Sequence, residues 1–309
     1  MILHLLPLLL ATQGAGEIAF EQVDFTSTHD QTVQSTRFYA SPEAGPQPLL
    51  VVLHWWSAGM DTYNPDEWVV AARAHGWHVA APHFRGPNKS PEACASPAAR
   101  QDVLDATSAI QARAEVDDER IYLAGLSGGG HMSMVMAAYH PEAFSAVSAW
   151  AGISDLAAWH AETKAAGHHY WQDVEACVGG APGGSPEVDA ELRARSPLPH
   201  LGNAVTVPLD LATGILDGHT GSVPVRHTID AFNAVARALG APEVSQSRIN
   251  MLSQGWAAPA DRVADPDYRR DVLFRAEAGL ARVTIFQGGH EGLPDAACAW
   301  LGQHRRARE

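Results

Sequence analysis

Hydrophobic and polar positions change rhythm along the chain, and the changes mark out its elements. Between residues 18 and 40, the stretches IAFEQVDF and TVQSTRFYA alternate apolar and polar side chains. That is the period of half-buried antiparallel strands. From Pro48 the pattern turns to blocks. PLLVVLHW is a run of β-formers with no polar face, as in a strand covered on both sides, and Asp66–His75 is an amphipathic helix closed by Gly76. WHVAAPHF predicts a strand, Pro97–Ala114 a helix and RIYLAGLS a strand. Gly129–Tyr139 predicts a helix stopped by His140-Pro141, and FSAVSAWAGI a further strand. Alternation of this kind builds a mostly parallel α/β sheet, doubly wound, with right-handed crossovers and flanking helices.

The alternation pauses twice. Ser154–Val205 is rich in Gly, Pro, Trp and His and predicts an insertion without strands. VPLDLATGILD then predicts a strand and Val223–Leu239 a helix. Gly240–Gly279 predicts a second irregular insertion, ARVTIFQGG the closing strand and Pro294–Arg305 the last helix. No repeat or linker interrupts the order, so residues 17–309 read as one domain. Both insertions, about 154–205 and 240–279, fall where they can cover the C-terminal edge of the sheet, the ligand-binding edge of open α/β folds.

Residues 1–16 change the picture of where the chain works. An apolar run from Ile2 to Leu10, followed by small residues, has the form of a secretory signal peptide cleaved near Gly14–Gly16, though no Lys or Arg precedes the run. The expectation is a periplasmic or extracellular protein without membrane integration, because the run is too short to span a bilayer. The net charge of −14 over 309 residues argues against nucleic acid as a partner. Nothing in the chain points to an oligomeric state. The three cysteines, Cys94, Cys177 and Cys298, allow one disulfide and leave one over, and the sequence does not choose the pair. None has metal-ligand spacing. His160, His168 and His169 fit no zinc pattern either, so neither metal nor other cofactor is expected.

The chemistry begins at Gly125-Leu126-Ser127-Gly128-Gly129, which lies between a predicted strand and a predicted helix. In that context G-x-S-x-G is a nucleophile elbow. The sharp turn lifts the Ser127 hydroxyl clear of the sheet and aims a helix N-terminus at the reacting centre. A serine needs a base, and the base needs an acid to orient it. Asp217 follows the strand PLDLATGIL and opens the loop DGHTGSVP. His290 follows the last strand in QGGHEG. The chain order Ser127, Asp217, His290 is that of the elbow-bearing hydrolases. Asp210, inside its strand, reads as a structural polar group, and His219 is the second choice for the base.

With strand, elbow, acid and base in this order, the chain resembles the α/β-hydrolase superfamily over nearly its whole mature length. Within it the likeness is to the prolyl oligopeptidase-type catalytic domain. VDDERIYLAGLSGGGHMSMVMAAYHPEAFSAVSAWAGISDL, DGHTGSVPVRHT and VTIFQGGHEG carry the likeness, which includes the Val223-Pro224 pair after the acid. It implies an α/β-hydrolase fold without the β-propeller that members often carry. It also implies a serine hydrolase cleaving a small peptide or ester substrate. A carboxylesterase for acyl, aryl or polymer-derived esters is the alternative, and an inactive binding module is a remote third.

The family's HGG after its third strand is His54-Trp55-Trp56 here. The oxyanion donors are expected to be the N–H of Gly128 and that of Trp56 (or Trp55), worth on the order of 3 kcal/mol each. Neighbouring bulky residues point to opposite sides, so one ring should wall the pocket while the other packs beneath the loop. Trp159, Tyr170 and Trp171 in the first insertion are further candidates for pocket walls.

Overall fold

The computed structural model of the protein describes residues 18–306; the leader read in residues 1–16 lies outside the described residues. The alternating N-terminal stretches form an antiparallel hairpin, β1 (Glu21–Thr26) and β2 (Val33–Tyr39). The continuous apolar runs form β3 (Gln47–Leu53), β4 (His78–Pro82), β5 (Val116–Leu126), β6 (Ala146–Trp150) and β7 (Leu209–Gly214). A second hairpin, β8 (Val272–Ala278) and β9 (Ala281–Phe286), closes one edge. All nine share one sheet in the order β1-β2-β4-β3-β5-β6-β7-β9-β8. The six central strands run parallel, and the antiparallel pairings sit toward the two edges.

The apolar run of β3 has a direct explanation. Leu49, Val51 and Leu53 pack with residues of α2 (Pro97–Gln111), α3 (Gly128–Tyr139) and α7 (Arg226–Ala238), among them Val103, Val135 and Phe232. Leu50 and Val52 pack on the opposite face with Trp68 of α1 (Asp66–Arg73) and Leu301 of α9 (Pro294–Leu301). Both faces of the strand are dry, so neither can be polar. Asp210 of β7 is a buried carboxylate within the sheet. Fully buried, it accepts from Ser148 Oγ and from Arg282 Nε, each at 2.7 Å, and is a structural ion-pair member as expected.

The insertions are more regular than the sequence reading implied. The first carries three helices: α4 (Leu156–Ala165), α5 (Tyr170–Val178) and α6 (Pro186–Arg195). Their end signals are local. The Asp155 carboxylate caps the N–H groups of Ala157 and Ala158 at 2.9 and 3.1 Å, and Ser185 caps Val188 ahead of Pro186. What hides these helices is their short apolar faces; α6 buries only Val188, Leu192 and Arg195. The second insertion holds α8 (Gln246–Ser253), capped by Ser245, and then the edge strand β8. A register shift falls between Val272 and Phe274, and after it Phe274-Arg275-Ala276-Glu277-Ala278 alternates apolar and polar residues, a short strand signal within a stretch read as irregular.

All three cysteines are buried free thiols. Cys94 and Cys177 belong to a small cluster under the first insertion, with Trp56, Leu156, Trp159 and Val174, whereas Cys298 lies in the α1–α9 face of the core.

Candidate active site

β5 runs directly into α3, and Ser127 is the residue that turns the corner. Its backbone takes φ 60° and ψ −117°, a conformation that a residue with a β-carbon holds only when its surroundings impose it. They do: Ser127 N–H donates to Trp150 O on the neighbouring strand, and Ser127 O accepts from His131 N–H in the first helical turn, both at 2.8 Å. Gly128 opens the helix, so its N–H has no intrahelical acceptor.

Asp217 follows the end of β7 and His290 follows β9. Those two strands are hydrogen-bonded neighbours, and their pairing brings residues 73 apart in sequence together. Asp217 Oδ2 lies 2.8 Å from His290 Nδ1. The carboxylate is buried and accepts further donors: Gly218 N–H at 2.9 Å and Val223 N–H at 3.2 Å on Oδ1, and Thr213 Oγ1 at 3.3 Å on Oδ2. With Nδ1 committed to Asp217, His290 has Nε2 left for the cavity side. His219 stands apart; its Nε2 faces Ser253 O at 2.9 Å.

Ser127 and His290 line one cavity of about 340 Å³, together with Trp55, Trp56, Ser57, Leu126 and Tyr170. No carboxylate, Lys or Arg is among those residues. A larger cavity, about 440 Å³, opens between the starts of α1 and α9. Its charged residues include the Arg269–Asp295 pair, at 3.1 Å, and no serine or histidine lines it. Of these two cavities, only the smaller brings a serine and a histidine together.

The two tryptophans separate as their alternation suggests. Trp55 is 41% exposed and stands edge-on to Tyr63, with ring centroids 5.2 Å apart; Trp56 is 2% exposed. The loop that carries them is held from beneath. Asn88 N–H donates to Trp56 O at 2.9 Å, and Cys94 N–H donates to the Asn88 side chain at 2.6 Å. His54 stacks on Phe84 at 3.9 Å, and its ring nitrogens face Trp55 O and His83 O at 3.0 and 2.8 Å. The Trp56 N–H has no acceptor among the described residues. Beside the Trp56 indole lies the Asp173 carboxyl, which burial pushes above the usual carboxylate range.

Of the insertion residues expected as walls, Tyr170 lines the cavity. Trp159 does not; it is fully buried one layer behind, edge-on to Trp56 at 4.7 Å and stacked on Tyr170 at 5.2 Å. Trp171 also faces elsewhere, packing on His160 and under the Lys164 ammonium. Face assignment on α4 and α5 needs the docking of those helices, which sequence periodicity over so few turns does not supply. The reading missed Leu126, Ser57 and Thr213. The first is the variable position inside G-x-S-x-G itself, a signal that was available.

A model of the prolyl oligopeptidase family matches residues 67–244. The chain belongs to that family. The match runs from α1 to a little past the end of α7 and includes Ser127 and Asp217, with His290 lying beyond it. Among solved structures, the acylaminoacyl peptidase of Pyrococcus horikoshii is similar in fold (TM-score 0.63, 17% identity), over 94% of this chain and 43% of that one. The S-formylglutathione hydrolase FrmB of Staphylococcus aureus gives a TM-score of 0.61 at 13% identity over 92% of this chain and 98% of its own. Among curated proteins, poly(3-hydroxyalkanoate) depolymerase C of Paucimonas lemoignei is 24% identical over 160 residues, which is 49% of this chain and 39% of that protein. This family member thus spans under half the length of the archaeal peptidase and of the depolymerase.

Proposed function

We propose that the protein is a serine hydrolase that cleaves an ester or peptide bond carrying an uncharged acyl group, through an acyl-enzyme. The observation that carries the reading is the 2.8 Å contact of Asp217 with His290 beside the same cavity that receives the strained Ser127. Ser127 Oγ attacks the carbonyl carbon. His290 Nε2 takes the hydroxyl proton and later delivers it to the departing alkoxide or amine. Asp217 holds the imidazole with its proton on Nδ1 and stabilises the imidazolium as it forms. The tetrahedral oxygen is met by the N–H groups of Gly128 and Trp56, which wait without protein acceptors and need no reorganisation. A water repeats the sequence on the acyl-enzyme. Each step uses groups of the chain, the substrate and that one water.

The lining supports the substrate class. Aromatic faces and Leu126 suit a compact apolar or aryl acyl group, and no lining charge is present to neutralise a substrate charge. Family membership favours a peptide-type substrate, and the likeness to a polyester depolymerase favours an ester as the second reading. Export, read from Ile2–Leu10, is part of the same proposal. The test is a parallel assay of neutral acyl peptide anilides and p-nitrophenyl esters, with fluorophosphonate labelling. Turnover and labelling should both vanish in Ser127→Ala; a variant that still labels and turns over would sink the assignment.

A further inference from the structure

We propose that Trp159, supplied by the first insertion, is a positioning residue for Asp217 and acts through the single peptide unit between Ser222 and Val223. The inference rests on the serine-hydrolase reading above. The Trp159 indole Nε1–H donates to Ser222 O at 2.8 Å. The N–H at the other end of that same peptide, Val223, donates to Asp217 Oδ1 at 3.2 Å. A peptide group is planar, so fixing its carbonyl fixes the direction of its N–H. Accepting a bond at the carbonyl also polarises the N–H that points at the carboxylate. One indole proton therefore sets where the donor to the acid stands and how strongly it donates.

The hook itself is rigid. Trp159 is fully buried, with Trp56 against its ring edge and Tyr170 on its face. Its helix, α4, is also tied to α7: Glu162 Oε2 lies 2.8 Å from His227 Nε2, and His227 Nδ1 accepts from Ser154 N–H, just ahead of α4, at 3.2 Å. The acid loop carries Gly218 and Gly221 between Asp217 and Ser222, and it packs so closely that a β-carbon on Gly221 would stand 2.3 Å from Asp217 Oδ1. A buried indole N–H usually finds an acceptor in any fold. The specific point is that this acceptor shares a peptide plane with a donor to Asp217.

Two variants test it: Trp159→Phe, and Trp159 replaced by 3-benzothienylalanine, which keeps the bicyclic shape and puts sulfur where the N–H was. In both, kcat for a p-nitrophenyl ester should fall roughly tenfold with KM within about twofold, the scale of one hydrogen bond to a charged group. A folded benzothienyl variant with wild-type kcat, or with only KM altered, overturns the proposal; that variant decides if Trp159→Phe does not fold. Ser127→Ala separates the two levels. Residual turnover there removes the hydrolase reading, whereas a dead Ser127→Ala beside wild-type Trp159 variants removes the positioning role alone.

Discussion

The backbones of Gly128 and Trp56 touch: a β-carbon on Gly128 would stand 2.3 Å from the Trp56 amide nitrogen and 2.5 Å from its Cα. Both obstacles are main chain, so no side chain can swing aside. The proposed mechanism requires such an approach, because two N–H groups from different segments, one in the loop after β3 and one starting α3, must converge on a single oxygen. Gly128→Ala must push these segments apart. The expected result is a fall in kcat of roughly a hundredfold or more, the worth of one oxyanion donor, with the far-ultraviolet circular dichroism preserved. Wild-type kcat in a folded Gly128→Ala enzyme would remove the Trp56 N–H from the oxyanion site.

Trp55 and Trp56 are adjacent in sequence and opposite in burial, and truncating them should have opposite consequences. Trp56 lies in the closed cluster with Trp159, so Trp56→Ala leaves a cavity and should cost roughly 3–5 kcal/mol of stability. Trp55 keeps much of its ring in solvent at the cavity mouth. Trp55→Ala should cost under about 1 kcal/mol while shifting the ratio of kcat/KM between short and bulky acyl esters. The sequence places one ring at the pocket and the other beneath the loop, and burial identifies Trp56 as the packed one. Urea titration and a series of acyl chain lengths check both halves. A Trp55→Ala enzyme destabilised like Trp56→Ala, with unchanged preference, would defeat this division.

What could be read from the residues was what is periodic or ordered along the chain. The dry central strands show as continuous apolar runs because helices cover both faces, and Ser127, Asp217 and His290 follow from their places after β5, β7 and β9. The edge strand β8 escaped because only Phe274–Ala278 alternates, a pattern too short to stand out within the insertion. The roles of Trp159 and Trp171 escaped for a different reason. Which face of α4 or α5 meets the cavity is decided by how the insertion docks, through contacts such as Trp159 to Ser222 and Glu162 to His227. Such contacts join residues 63 and 65 apart, with no local pattern to announce them.

Stability should fall with acid before the carboxylates titrate, and buried imidazoles are the reason. His54 faces two carbonyl oxygens, yet a neutral ring has one N–H and donates to only one of them. Protonation would satisfy both, but desolvation of the charge prevails and pushes His54 down to about 4. Burial likewise pushes His131, whose Nδ1 faces Ile153 O at 2.8 Å, down to about 4. His78, His83, His140 and His304 shift in the same direction, also chiefly by burial. An unfolded histidine titrates near 6.5, so between that pH and 4 the unfolded chain binds more protons than the folded one. The stabilisation is therefore complete above pH 6.5 and is lost as pH falls toward 4, on the order of 3 kcal/mol for each of the two strongest cases. Urea unfolding from pH 7 to 5 should show a steady decline, and His131→Gln, which removes one titrating ring, should make the slope shallower. A stability that stays flat across that range would mean that these rings titrate in the folded protein as they do in the unfolded chain.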